Sequence, residues 1–221
     1  MSTRGFSTGV VSLCLLLSAF EPLAAQSFEP FEIAIWNGVQ IQDSSADVSG
    51  LRFSLYGVNR SMSGLDVGVV ARTTGDQQGV FYGFVGITEG DFSGWQAGYF
   101  ANVTNGRVSG VQSGFYNQAG SGAVGQFGLV NRVKEDAVGI QIGLLNTAER
   151  FKGARVALAN VTSDEGHGVH VGLLNSVSNG SGFMLGLVNV ADGFRGLQIG
   201  LLNIINSKDR WPAIPLVNWS F

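Results

Sequence analysis

The sequence predicts an all-β fold: one β-repeat domain over residues 26–221, assembled from a recurring strand and turn and closed as an antiparallel barrel of about 12 to 13 short strands. Three observations lead there. The unit Gly139 to Asn146 (GIQIGLLN) returns almost unchanged as Gly196 to Asn203 (GLQIGLLN), and looser copies fill most of the chain. Inside each copy large apolar residues alternate with small or polar ones, which places the two kinds on opposite faces of a strand. The chain also holds 33 glycines and only 13% charged residues, so it lacks the charged surface of an ordinary soluble domain.

Taken in order, residues 1–25 read as a secretory signal peptide. Arg4 supplies the basic start, Val10 to Phe20 the apolar run, and Ala24 and Ala25 a small-residue stop before Gln26. Leu23 is not ideal three residues before such a cut. Cys14, the only cysteine, lies in the apolar run behind Leu13, where a lipid-attachment signal wants a small residue. A mature chain beginning at Gln26 has no thiol, which excludes disulfides and thiolate chemistry. Phe31 to Gln42 alternates like the repeats and reads as a diverged thirteenth element.

Twelve copies follow. Aligned on their eighth position, they end at Gly57, Ala71, Gly86, Ala101, Asn117, Asn131, Asn146, Asn160, Asn175, Asn189, Asn203 and Asn218, with a spacing of 14 or 15 residues and once 16. Positions two, four and six are mostly large and apolar, as in Ile140, Ile142 and Leu144. Connections such as Ser176 to Ser181 (SVSNGS) and Val190 to Arg195 (VADGFR) carry turn residues. No stretch of residues 26–221 has a helical period. The last copy contains Pro212 and Pro215, each of which removes a ladder donor, and leads to Trp219, Ser220 and Phe221. A terminal aromatic on an alternating strand resembles an outer-membrane assembly signal, but Val217, Trp219 and Phe221 fall on the glycine face unless a bulge near Asn218 turns them.

Glycines at positions one and five, such as Gly139 and Gly143, lie opposite the large residues and need a reason, because glycine weakens a strand. A strongly curled sheet with a crowded concave side and an apolar convex side provides one. Position three then forms an inward polar ring of Arg52, Asp66, Gln96, Gln112, Gln126, Gln141, Arg155, His170 and Gln198, the pattern of a membrane barrel. The apolar band is thin for that purpose: three outward residues span about 13 Å against a bilayer band of about 25 Å. Position ten, with Val103, Ala119, Val133, Ala148, Val177, Ala191 and Ile205, extends it in part. Two alternatives fit the alternation. One is a β-solenoid with one repeat per coil, which needs an apolar partner for its core that segments such as Thr162 to His167 (TSDEGH) do not supply. The other is a flower-like barrel with an apolar interior. The copies also lack the alternation of short turns and long loops usual in an up-and-down barrel.

Candidate chemistry is sparse. Asn117, Asn131, Asn146, Asn160, Asn175, Asn189 and Asn203 read as structural residues ending strands at turns, with a ligand-lining row as the other possibility. The glutamines read as amide bonds between strands before they read as a pore lining. His167 and His170 have no third ligand beside them, and Asp164 and Glu165 are adjacent turn carboxylates whose side chains diverge. No catalytic residue, no metal site and no cofactor is assigned. The sequons at Asn102 and Asn160 read as chance. A formal charge of −3 offers no argument for nucleic acid or for anionic lipid.

Tandem G-L-Q-x-G-L-x-N units behind a signal peptide resemble the bacterial surface repeat-containing proteins. The resemblance covers about three quarters of the chain, through the spacing of Gly, Gln, Gly and Asn, and is weaker in the first four copies. It implies an exported, envelope-associated protein that is not an enzyme, and supplies neither ligand nor mechanism. Two functions follow as expectations. One is an outer-membrane barrel with a structural or small-solute pore role and lipid as its surroundings. The other is a secreted or periplasmic repeat module that binds a lipid or a protein partner.

Overall fold

The computed structural model describes residues 28–36 and 38–221; the expected signal peptide and Cys14 lie outside the described residues. The strands are β1 (Phe28–Trp36), β2 (Val39–Gln40), β3 (Asp47–Asn59), β4 (Ser61–Thr73), β5 (Gln77–Thr88), β6 (Phe92–Thr104), β7 (Arg107–Ser113) and β8 (Tyr116–Ala119). They continue as β9 (Ser121–Phe127), β10 (Val130–Val133), β11 (Asp136–Ile142), β12 (Leu145–Ala148), β13 (Arg150–Leu185), β14 (Val188–Ile205) and β15 (Ala213–Ser220).

The all-β repeat fold is present, and the barrel is not. The chain winds as a β-solenoid of about 11 turns. Successive copies pair parallel and in register: Gly50 lies beside Gly64, Gly64 beside Gly79, and Asn131 beside Asn146. An antiparallel barrel reverses every second copy and cannot stack like on like. The two antiparallel pairings are at the ends. β2 folds back on β1, which itself runs parallel to β3, and β15 runs antiparallel to β14. These end strands cover sheet edges that would otherwise recruit another chain. Phe31 to Gln42 is a diverged element whose first part stacks parallel on the first coil and whose second part folds back as an N-terminal cap, and the copy expected to end at Asn218 is a C-terminal cap.

Each coil has a long wall, a bend and a short wall. In one coil β11 is the long wall, Gly143 and Leu144 make the bend, and β12 is the short wall. Two consecutive outward residues mark the bend as an outer corner: Leu173 and Leu174 are 51% and 40% exposed, and Leu201 and Leu202 are 65% and 40% exposed. A flat strand cannot point neighbours the same way. The glycine at position one has a specific cause. Gly153 has φ of 142°, a region that side chains avoid, and an added Cβ would collide with the carbonyl oxygen of Gly139 in the coil below.

The interior inverts the solenoid weighed as an alternative to the barrel. The core does not use positions two, four and six; it uses position three, the Asn of position eight, position ten, and a site two residues before position one. That last column contains Met62, Phe92, Val108, Ala137, Phe151 and Phe194, all buried. Position ten also points inward, so Ala119, Val133, Ala148, Val177, Ala191 and Ile205 are core and do not widen an outer band. In the first four coils position ten is Asn59, Thr73, Thr88 and Thr104, in register and buried. The sequence alignment slips by one in the fourth copy. A register shift beside Gly98 admits one extra residue, so Asn102, not Ala101, occupies the asparagine column, and Val103 falls outside position ten.

Candidate interaction surface

The nine polar residues expected at position three all face the axis and are fully buried. They do not ring a lumen: they stack along the axis, with Phe81 and Met184 filling the two rungs between them. Gln112 Nε2 donates to Gln96 Oε1 at 2.8 Å, Gln126 to Gln112 at 2.8 Å and Gln141 to Gln126 at 2.7 Å. Near the N-terminus Arg52 meets Asp66 in a two-bond pair at 2.8 and 2.6 Å, and Gln77 Nε2 donates to Asp66 Oδ2 at 3.0 Å. Arg52 also donates to Asn59 Oδ1 and Thr73 Oγ1, so this buried pair is nearly fully bonded.

The asparagines are not turn residues held by left-handed backbone; the non-glycine residues of positive φ among the described residues are Trp211 and Leu216. Their side chains are buried and form a second ladder. Asn102 Nδ2 donates to Asn117 Oδ1 at 2.8 Å, and the chain of bonds continues through Asn131, Asn146, Asn160, Asn175 and Asn189 to Asn203 at 2.7–3.0 Å. The second amide hydrogen goes to the carbonyl before the bend of the next coil, as from Asn131 to Ile142 O at 2.9 Å and from Asn189 to Ile199 O at 2.9 Å. That carbonyl also accepts a backbone N–H, from Gly128 to Ile142 and from Gly186 to Ile199 at 3.0 Å each, so the asparagine fills its second lone pair and ties the bend to the neighbouring coil. Asn218 closes the series, donating to Asn203 O and accepting from Lys208 Nζ.

Two rungs break the amide column. Arg155 is buried with no carboxylate partner among the described residues. It donates to Val161 O and Thr162 Oγ1 and lies over the Phe151 ring at 4.2 Å, while its Nε has no partner. Burial pulls its pKa down to about 9. His170 has neither ring nitrogen bonded, and burial, with Arg155 and His167 adding repulsion, pulls it down to about 3. His167 instead stands half exposed, bonded to Ser181 Oγ at 2.9 Å and 3.8 Å from Glu165. The two histidines therefore do not converge, and no group of three metal-ligating residues occurs among the described residues. Asp164 and Glu165 have separate partners, Arg150 and His167.

The outside is where the molecule becomes asymmetric. Positions two, four, six and seven of the coils, which form the outer corner and its flanks, hold no charged residue from Leu51 to Leu202. Representative exposures are 60% for Leu55, 54% for Tyr99 and 48% for Leu144. Exposed charge sits on the far edge and its shoulders, where Arg60 pairs with Asp47, Arg72 with Glu89, and Arg150 with Asp136, Glu149 and Asp164. Arg60 and Arg150 hold Asp47 and Asp136 below the usual carboxylate range. With a coil spacing of about 4.8 Å, about 11 turns give an apolar edge about 50 Å long. Across the corner it is about 16 Å wide, an area of about 800 Å², against about 300–600 Å² for the largest patch on a typical monomer.

Both caps continue the edge. Phe31 and Ile33 of β1 lie beside Leu51 and Phe53. In β15 the terminal aromatics do face outward: Val217 and Trp219 lie opposite Ile199 and Leu197, Leu216 has φ of 69°, and the extra residue that shifts the register lies in β14 between Gly200 and Asn203, with none near Asn218. Val217, Trp219 and Phe221 are exposed and Asn218 is buried. Near the N-terminus the edge opens into a groove of about 450 Å³ walled by Ile35, Leu55, Val69, Phe84 and Tyr99. Comparison with protein-family models, characterised proteins and solved structures gives no significant match.

Proposed function

We propose that this protein is an exported, non-enzymatic cell-envelope module: a rigid amphipathic solenoid that presents its apolar edge to a partner and its charged edge to water. The observation that carries this reading is the segregation of charge, which leaves the outer corner bare of it along the whole solenoid. An uncharged exposed area of this size is a binding surface or an aggregation hazard, and the capped ends are a defence against aggregation. A pore role loses its basis, because bonded amide columns occupy the space where a channel would run. Export rests on the signal-like residues 1–25 and on the resemblance to bacterial surface repeat proteins. A non-enzymatic role accords with buried polar groups that serve one another and not a cleft.

The test is fractionation of the protein expressed with its own signal, comparing wild type with a Leu144→Asp/Leu158→Asp pair on the edge. Wild type is expected in the envelope fraction, migrating alike boiled and unboiled, and the pair is expected in the soluble periplasm or medium with unchanged circular dichroism. An unchanged envelope association of the pair would overturn the edge as working surface.

A further inference from the structure

We infer that the occupant of the edge is a lipid surface, against which the solenoid lies lengthwise with its outer corner sunk among the headgroups and upper acyl chains; this rests on the edge being the working surface. Four features favour lipid over a protein. Beyond the N-terminal groove the edge is a convex ridge, since positions six and seven both point outward at the bend, as Leu173 with Leu174 and Leu201 with Leu202 do. A fluid surface wraps such a ridge, whereas two ridges touch along a strip too narrow for the roughly 800 Å² per partner of a stable complex.

The few polar atoms on the ridge already satisfy each other. Tyr82 and Tyr99 share a hydroxyl bond at 2.6 Å, and Trp95 Nε1 donates to Ser113 Oγ at 3.0 Å. A protein interface of this size carries about ten cross-interface hydrogen bonds, for which this ridge offers almost no donors or acceptors. Between the two caps the backbone is equally closed, because each wall pairs with the coil above and below, so within the repeats no ladder group meets hydrocarbon unpaired. Finally, aromatic residues crowd the ridge, with Phe84 packed on both Tyr99 and Phe100 at 5.7 and 5.5 Å, and Tyr and Trp favour the membrane interface. With no basic residue on the ridge, the attraction is apolar and needs no anionic lipid.

The experiment is flotation of the purified mature chain with vesicles of pure phosphatidylcholine. A variant with Trp36, Trp211 and Trp219 changed to Phe, keeping Trp95, is quenched in parallel with brominated acyl chains. Expected are flotation that persists at about 0.5 M salt, quenching of Trp95, and at least a tenfold fall in bound fraction for the folded Leu144→Asp/Leu158→Asp pair. Lys134→Glu, on the charged edge, is expected to float like wild type. Flotation abolished by salt, or an unquenched Trp95, overturns the inference. Light scattering separates this failure from that of the underlying reading: self-association through the edge that the Asp pair abolishes, without flotation, discards lipid and keeps the edge as a binding surface. No vesicle binding, no self-association and no change in cell fractionation for the Asp pair discards both.

Discussion

Arg155 and His170 stand in a column where neighbouring coils place glutamine, and the cost of that choice is visible next door. Gln141 Oε1 has no partner because the rung above it is Arg155 instead of an amide. Arg155→Gln would let the new amide donate to Gln141 as Gln126 does to Gln112, and it removes a buried unpaired charge. Denaturant unfolding should show a gain of about 1–3 kcal/mol. His170 makes a pH prediction. Its folded pKa of about 3 lies below the unfolded 6.5, so between these values the unfolded chain binds the extra proton. Stability is complete above pH 6.5 and falls as pH drops toward 3, by up to about 1.4 kcal/mol per pH unit from this group. His170→Gln should flatten that slope in urea titrations across the range; an unchanged slope would remove His170 from the account. At this scale the sequence was legible as to direction: period-two alternation placed all nine position-three residues inward. Which way the amides bond, and that Thr162 to His167 hides a glycine inside the core, depends on the stacking of coils and leaves no local trace.

The elements owe their form to two interactions between coils. Asn160 bonds Asn146 on one side and Asn175 on the other and donates to Val171 O. Asn160→Ala removes all three bonds from a dry site, although Asn146 Nδ2 keeps Gln141 O and Val156 O, and should cost about 1–3 kcal/mol in equilibrium unfolding. Gly153→Ala puts a methyl against Gly139 O at φ of 142° and should cost about 3 kcal/mol or more, or prevent folding. The strand and turn units could be read from alternation, but their direction could not, since each strand has the same local pattern whether its neighbour runs parallel or antiparallel. The clue lay in the order within the unit. Gly at position one, Gln at position three and Asn at position eight recur in one order through many of the copies, which an antiparallel array has no cause to preserve, whereas a parallel stack pairs each with its own kind. The missing alternation of short and long connections points the same way.

For the whole molecule, the apolar residues were recognised as one face and the position-three residues as an inward polar set, but a polar interior was assigned to a barrel, and a solenoid was expected to need an apolar core. The chain answers with amide ladders, which satisfy themselves along the axis and leave the large residues for the outside. An exposed apolar residue then contributes little to folding. Leu144→Asp should shift stability by less than about 1 kcal/mol, where the same change in a packed core would be ruinous. The caps matter in a different way. A chain ending before Pro212 exposes the ladder groups of β14 along Gly196 to Gly200, and light scattering should find it polymerising end to end while the full chain stays dispersed.

The most direct measurement is the distance between spin labels at Phe53 and Ile199, both outward on the edge, in the first and eleventh coils. Cys14 is the one cysteine of the sequence, so in a chain begun at Gln26 two introduced cysteines label cleanly. Ten coil steps of about 4.8 Å predict a separation of about 48 Å. A barrel closed between its first and last strands would bring the pair within about 15 Å, and a distance that short would contradict the solenoid and everything argued from its edge.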